Sequence, residues 1–173
     1  PIRSALQPLR VQRDSVAVKV VNRRPYTTMV PSLPDLAGTR IGSEYLTEEV
    51  SKLVAPHIEV VVDSAQHVDL EKRTVSTEAG AFPYDYLVLA SGSVTNFFGF
   101  DQHLDQVHKL DDVEDGERVA REFPDYLRRA ENPRVIVVGG GYTGLELGCN
   151  LRYAATKQGR DCEIAIVEIQ DAI

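Results

Sequence analysis

Residues 134–147 read RVIVVGGGYTGLEL, and this stretch decides the fold. A strand candidate made of branched apolar residues stops in three glycines, and a helix-like pattern follows. Gly139, Gly141 and Gly144 fit the G-x-G-x-x-G spacing, in which the glycines permit a tight turn, backbone approach to phosphates and close helix packing. Backbone N–H groups and the helix dipole can then hold an anion. The stretch predicts a dinucleotide site; the alternative is a glycine turn in a βαβ unit without a ligand.

A second strand supports the dinucleotide interpretation. CEIAIVE (162–168) follows the helix, which Gly159 is predicted to end, and Glu168 lies 24 positions after Gly144. This offset is close to the roughly 20 positions expected for the acid that binds a ribose. Glu168 would accept hydrogen bonds from ribose hydroxyls and repel a 2′-phosphate, which favours NAD over NADP. The alternative is a solvent-facing residue at a strand end.

Composition excludes several classes of function. With 173 residues and 43% apolar content, the chain can form one ordinary domain or two small ones. The net charge of −7 disfavours nucleic acid as a partner, because nucleic acid binding needs a clustered basic face. We find neither an apolar run of the roughly 20 residues that a membrane span needs nor a signal peptide pattern. Cys149 and Cys162 are not spaced as CxxC, and the four histidines show no ligand spacing, so no metal site is predicted.

The rest of the chain reads as alternating strands and helices. YLVLA (86–90) is a near-continuous apolar run, typical of a central parallel strand covered on both faces. Residues 27–43 contain Pro31, Pro34 and Gly38 and are predicted to be a loop. Further strands are predicted at 16–21, 58–63, 67–70 and 74–79, and helices at 43–54, with Ser43 as the cap, and at 111–131, with Asp111 or Asp112 near the cap.

Three segments together resemble a known family. YDYLVLASGSVTNFFG (84–99) followed by VIVVGGGYTGLEL (135–147) resembles the two-dinucleotide flavoproteins of the FAD/NAD(P)-dependent pyridine nucleotide-disulfide oxidoreductase superfamily. Within it, the chain is most similar to type II NADH dehydrogenase, the single-subunit NADH:quinone oxidoreductase. VVNRRPYTTMVPSLPDLAG (20–38) is similar to the end of the second FAD-domain strand and the loop that passes near the flavin ring. The resemblance implies an α/β, Rossmann-like three-layer fold that is incomplete at both ends, with FAD and NADH as cofactors.

The resemblance also implies cofactor-binding residues. The turn Ala90-Ser91-Gly92 would lie against FAD, with Ser91 in the place of a Thr. Asn22 stands where an acid is often found and can still hydrogen-bond a ribose hydroxyl. The cofactor-binding residues expected are Asn22, Arg23, Pro31, Ala90, Ser91 and Gly92 toward FAD, and Gly139, Gly140, Gly141, Tyr142, Thr143, Gly144 and Glu168 toward NADH.

Glu146 is the candidate catalytic residue. We expect it in the first turn of the helix, where a carboxylate is stabilised by the helix dipole, typically by about 0.3–1 kcal/mol. In the family that the chain resembles, a Glu at this place in TGLE lies near the meeting point of nicotinamide and flavin. We favour this role, because an extra anion beside a phosphate loop would otherwise repel the ligand.

The resemblance also implies a domain order. In the family, the FAD domain is interrupted by the NADH domain, so 1–110 is expected to be part of the FAD-binding domain and 111–173 the start of the NADH-binding domain. The first FAD fingerprint is expected ahead of Pro1, so the chain is expected to be an internal part, inactive by itself.

The implied activity is hydride transfer from NADH to FAD, with electrons passed to a quinone. The alternatives are a sulfide:quinone oxidoreductase, another FAD/NAD(P)H reductase, or a non-catalytic NAD-binding module. A cytoplasmic location is expected, peripheral on the inner face of a membrane, and a homodimer is left open.

Overall fold

The computed structural model describes residues 16–99, 102 and 104–169, which form two compact units. The first unit contains the described residues up to Thr27 together with Glu48–Ala90, and the second contains Thr28–Thr47 and the described residues from Ser91 onward. The strands are β1 (Lys19–Asn22), β2 (Tyr26–Thr28), β3 (Thr47–Glu49), β4 (Glu59–Val62), β5 (His67–Asp69), β6 (Thr74–Ser76), β7 (Ala81–Pro83), β8 (Arg134–Val138) and β9 (Glu163–Val167). The α-helices are α1 (Leu33–Ala37), α2 (Val50–Leu53), α3 (Val113–Arg129) and α4 (Tyr142–Lys157), and single 3₁₀ turns lie at Val30–Ser32, Ser43–Tyr45 and Leu104–Gln106.

The first unit combines a parallel strand pair with an antiparallel sheet. β1 pairs with β4 in parallel, with Lys19 opposite Glu59. β5, β6 and β7 form a three-stranded antiparallel sheet. The Lys19 ammonium lies 2.9 Å from the Glu59 carboxylate and 4.6 Å from the centre of the Phe82 ring. This side chain therefore connects the parallel pair to β7 through an ion pair and a cation–π contact.

The second unit is built on the pair β8–β9. These strands run parallel, in register from Arg134 opposite Glu163 to Val138 opposite Val167. The main core of the unit combines residues of α3 and α4 with the residue that precedes β9: Phe123, Leu127, Leu151, Ala154, Ala155 and Cys162. Val135 of β8 packs against this core, whereas Ile136 and Val138 are exposed, because successive side chains of a strand point to opposite faces.

Helix α1 lies where the sequence predicted a loop, so the loop prediction for 27–43 was wrong. Leu33 is fully buried, and Pro34 lies in the first turn, where a helix has no use for its missing N–H. The helix packs closely on two others. A Cβ atom at Gly116 of α3 would lie 2.8 Å from Leu36, and one at Gly38 would lie 2.5 Å from the Cβ atom of Asn150 on α4. Two glycines therefore make room for this short helix.

Residues 43–54 do not form the predicted helix. They form a 3₁₀ turn, the strand β3 and the short helix α2, and Gly42 rather than Ser43 stands at the N-cap of the turn. β3 pairs with β2, and Leu46 between turn and strand is buried at 2% exposure. Tertiary pairing and burial override the local helical pattern here.

The predicted strand at 86–90 is also absent. Tyr86, Val88 and Leu89 are 95%, 78% and 73% exposed, and in the part of the chain that the structure describes no strand pairs with them. A strand exists only where its backbone groups find a ladder partner. The apolar composition of YLVLA indicated burial on both faces, but composition alone supplies no neighbour.

The other main elements are confirmed. Strands fall within the predicted stretches 58–63, 67–70 and 74–79, and β1 occupies the end of the first predicted strand and the residue after it. Helix α3 begins after Asp112, whose carboxylate accepts a hydrogen bond from the Asp115 N–H at 3.1 Å. The division into FAD and NADH domains at residue 110 stays a prediction, since the two compact units describe packing rather than cofactor binding.

Candidate functional site

The glycine loop between β8 and α4 has the geometry that its spacing predicts. Gly139 has φ +108°, a backbone conformation that side-chain-bearing residues rarely adopt. A Cβ atom at Gly144 would lie 1.9 Å from the carbonyl oxygen of Gly139. One glycine therefore makes the turn, and the other lets the first turn of α4 sit directly on it.

The middle glycine faces open space. Gly141 is the N-cap of α4 and is exposed. A Cβ atom added there would have no atom of the described residues within 4 Å, its chain neighbours and the helix's own backbone aside. Tyr142 and Thr143 begin the helix and are also exposed, with Tyr142 at 89%. The first N–H groups of α4 lack carbonyl partners within the helix, so this surface can accept an anion.

Glu168 is tied to the same loop. One carboxylate oxygen accepts a hydrogen bond from the Gly140 N–H at 2.6 Å, and the other accepts from the Ile169 N–H at 2.7 Å. The carboxylate at the end of β9 is therefore held against the loop that leaves β8. Sequence spacing predicted that Glu168 and the loop belong to one site, and the structure brings them together.

Glu146 lies slightly further along α4 than expected. It is the fifth residue of the helix, beyond the first turn, and it is exposed. Because the effect of the helix dipole falls off within the first turn, stabilisation by the dipole is a weaker explanation for this carboxylate than the sequence indicated.

The residues expected to bind FAD are divided between the two units. Asn22, Arg23 and Ala90 lie in the first unit, whereas Pro31, Ser91 and Gly92 lie in the second. Gly92 has φ +74°, so the turn after the apolar run needs a glycine there. The two amide hydrogens of Asn22 have acceptors in the carbonyl oxygens of Arg24, at 2.7 Å, and Tyr26, at 3.3 Å.

A tether on the segment after this turn was missed at the sequence level. The N–H and hydroxyl groups of Thr95 donate to the Asp111 carboxylate, which also accepts from the Lys109 ammonium at 3.0 Å. Burial alone would raise the pKa of Asp111, but the hydrogen bonds from Thr95 and Lys109 outweigh it and lower that pKa. The signal available in the sequence was the adjacent pair Asp111-Asp112. Only Asp112 caps helix α3, which leaves the Asp111 side chain for another contact.

A βαβ unit with this loop and a carboxylate at the end of its second strand defines a dinucleotide-binding protein. Residues 4–173 match the family model for pyridine nucleotide-disulphide oxidoreductases, and the chain belongs to that family. In the described residues, no helix is both long and apolar enough to cross a membrane.

Curated relatives confirm the predicted resemblance to type II NADH dehydrogenases. The chain is 28% identical over 166 residues to the mitochondrial external alternative NAD(P)H-ubiquinone oxidoreductase B1 of Solanum tuberosum, covering 82% of this chain and 29% of that protein. It is 25% identical over 142 residues to the type II NADH:quinone oxidoreductase of Staphylococcus epidermidis, covering 77% and 35%. The chain thus spans about a third of the length of these relatives.

Solved structures confirm the predicted fold class. The sulfide:quinone oxidoreductase of Aquifex aeolicus is similar with a TM-score of 0.78 and 23% identity, covering 94% of this chain and 39% of that one. The NDH2 protein of Plasmodium falciparum, solved in complex with NADH, is similar with a TM-score of 0.75 and 21% identity, covering 90% and 38%. At these identities the likeness concerns the fold.

Replacing Gly144 by alanine is expected to destabilise the second unit by about 3 kcal/mol, because the new methyl group meets a backbone carbonyl that cannot move aside. Chemical denaturation followed by circular dichroism measures this. Gly141→Ala is the matched control, since its methyl group meets open space, and its unfolding midpoint should stay close to that of the wild type. Equal midpoints for the two variants would contradict the loop geometry.

The Thr95–Asp111 tether should make stability depend on acid pH. Because the folded-state pKa of Asp111 is lowered, its contribution is present above its ordinary pKa, 3.8, and is lost as pH falls through the lower folded value. Asp111→Asn should therefore cost about 1 kcal/mol at neutral pH. The difference from the wild type should shrink below about pH 4. Denaturation series at several pH values test this, with exposed Asp105→Asn as the control; a difference independent of pH would contradict the tether.

Proposed function

We propose that this chain is part of an FAD-dependent NADH:quinone oxidoreductase. Hydride would pass from NADH to FAD, and electrons would pass on to a quinone. The observation that carries the proposal is the glycine loop: a left-handed turn at Gly139, no room at Gly144, open space at Gly141, and Glu168 beside it. This arrangement fits a dinucleotide whose pyrophosphate lies on the N-terminus of α4.

On the NADH side, the proposed roles follow from position. The backbone of Gly139–Gly144 binds the pyrophosphate, with Tyr142 and Thr143 at the exposed start of the helix. Glu168 accepts hydrogen bonds from the ribose hydroxyls. Glu146, one turn further along α4, is placed to contact the nicotinamide end.

On the FAD side, the residues present fit a bound flavin nucleotide. The turn Ala90-Ser91-Gly92 presents backbone groups, and Gly92 supplies its left-handed conformation. Because the nitrogen of the Asn22 amide points to backbone carbonyls, its oxygen is the atom that can accept a ribose hydroxyl. Arg23 follows Asn22 directly in the sequence, and Pro31 lies eight residues further on. When bound, the flavin supplies the hydride acceptor, and the protein positions the two rings.

The other interpretations of the fold lead to different spectra and reactions. A sulfide:quinone oxidoreductase would use paired cysteines near the flavin, whereas Cys149 is exposed on α4 and Cys162 is buried, both as free thiols of the second unit. A non-catalytic module would bind NAD without a flavin.

We place the complete protein in the cytoplasm, peripherally on the inner face of a membrane where its quinone is dissolved, with a homodimer as one arrangement.

The experiment uses the product of the complete gene. A flavin absorbance spectrum near one FAD per chain, bleached by anaerobic NADH and restored by a quinone, would support the proposal. Bleaching by sulfide but not by NADH would favour the sulfide-oxidising alternative. Binding of NAD without any flavin would favour the non-catalytic module.

Glu168→Ala is expected to narrow the preference for NADH over NADPH, since it removes the carboxylate that repels a 2′-phosphate. The wild type should show a kcat/KM for NADH that is about ten-fold or more above that for NADPH. Glu163→Ala is the matched control, because Glu163 lies at the opposite end of β9, and its ratio should equal that of the wild type. Equal kcat/KM values for the two cofactors in the wild type would refute the assignment of Glu168.

Glu146→Gln is expected to change the rate of flavin reduction by NADH severalfold while the melting temperature hardly moves. The residue lies beyond the first turn of α4, so its interaction with the helix dipole contributes little to the stability of the fold. Stopped-flow absorbance under anaerobic conditions measures the reductive half-reaction. Glu117→Gln, another exposed helical glutamate, is the control. An unchanged reduction rate would leave Glu146 with a structural role only.

A further inference from the structure

One buried amide connects helix α4 to a segment far away in the sequence. Asn150 is 5% exposed. Its amide nitrogen donates to the Asp35 carboxylate at 3.0 Å, and its amide oxygen accepts from the Arg40 guanidinium at 3.2 Å. Asp35 lies on α1 and Arg40 follows that helix, so both ends of the amide are bonded to the segment Thr28–Thr47. We name these three residues the Asn150 network.

The backbone around the Asn150 network is in close contact. A Cβ atom at Gly38 would lie 2.5 Å from the Cβ atom of Asn150 and 3.2 Å from its backbone. The Arg40 guanidinium also lies 5.1 Å from the centre of the Tyr153 ring, one turn further along α4. Apolar packing alone would allow α1 to slide along α4. A buried amide whose nitrogen and oxygen each have a partner favours one arrangement of the two helices, since a shift would leave a buried polar group unpaired.

The position of Asn150 on α4 gives this contact a functional meaning. Asn150 and Glu146 are four residues apart, so they share one face of the helix. Pro31, expected near the flavin, belongs to the segment that Asn150 holds. The helix that begins at the NADH loop and the segment that reaches the flavin are therefore fixed to each other through one amide.

We propose that Asn150, with Asp35 and Arg40, is a positioning residue that sets the flavin-side segment Thr28–Thr47 against the nicotinamide-side face of α4. This inference rests on the proposed function, because positioning matters for hydride transfer only if both cofactors bind. The role is indirect: Asn150 acts through the segment and Glu146, whereas the cofactors are bound by other residues.

The first test measures the contact itself, in the FAD-loaded product of the complete gene. Asn150→Leu keeps the volume of the side chain and removes both hydrogen bonds. Hydrogen–deuterium exchange should become severalfold faster in Thr28–Thr47 and stay unchanged in β8 and β9. Cys149→Ala, at the exposed neighbouring position of α4, is the matched control and should exchange like the wild type. Unchanged exchange in Thr28–Thr47 would overturn the proposal. If Asn150→Leu does not fold, Asp35→Ala removes one bond and serves the same test.

The second test separates positioning from stability. At saturating NADH, the rate of flavin reduction in Asn150→Leu should fall about ten-fold. A small misalignment between the nicotinamide and flavin rings is enough to slow hydride transfer by that factor. The dissociation constant for NADH and the FAD content should not change. Faster exchange with an unchanged reduction rate would overturn the positioning role.

A paired substitution provides a rescue. Asn150→Asp places two carboxylates against each other and should slow flavin reduction. Adding Asp35→Asn restores a donor for the new carboxylate, which Arg40 also contacts, so the double variant should regain most of the rate. Failure of the rescue in a folded, FAD-loaded double variant would count against the proposal. If NADH does not reduce the wild type at all, the proposed function fails, while the exchange measurement still decides whether the Asn150 network holds the segment.

Discussion

The contact between Gly144 and the carbonyl oxygen of Gly139 is the constraint on which the second unit depends. With no side chain at 144, the first turn of α4 rests on the turn that leaves β8, at a distance where a methyl group would lie 1.9 Å from that oxygen. The contact fixes where the helix begins and how it is directed over the sheet. Gly148, one turn later, also faces β9, since an added Cβ atom would lie 3.4 Å from Ile164 and from Ile166. The later residues of α4 take their positions over β8 and β9 from this contact.

The carboxylate of Glu168 holds the loop that leaves β8. The Gly140 N–H donates a hydrogen bond to that carboxylate at 2.6 Å. A negative group is stabilised near the N-terminus of a helix, so the arrangement costs little. Glu168 thus joins the end of β9 to the loop that leaves β8.

Helix α1 depends on its neighbours for its existence. A helix of five residues is too short to be stable by itself, because the free-energy cost of nucleating it exceeds the stabilisation from one turn of hydrogen bonds. Its stability comes from burial of Leu33 and Leu36 in a cluster with Leu46 and with Val113 of α3, and from the Asn150 network on α4. In return, the segment that carries it acquires one defined position on α4. A segment that reads as a loop therefore becomes one of the most buried parts of the second unit.

The sequence by itself determined the strand–loop–helix at 134–147, the second strand followed by Glu168, and the capped helix α3. These features are local: glycine spacing, apolar periodicity and an aspartate before a helix act over a few residues. Tertiary structure decided the rest. Helix α1 forms because two distant helices bury it, residues 47–49 pair as a strand, and 86–90 form no strand among the described residues because they find no partner there. The Asn150 network joins residues 110 and 115 positions apart. Burial and ladder pairing are long-range, so no window of sequence contains the partner that decides them.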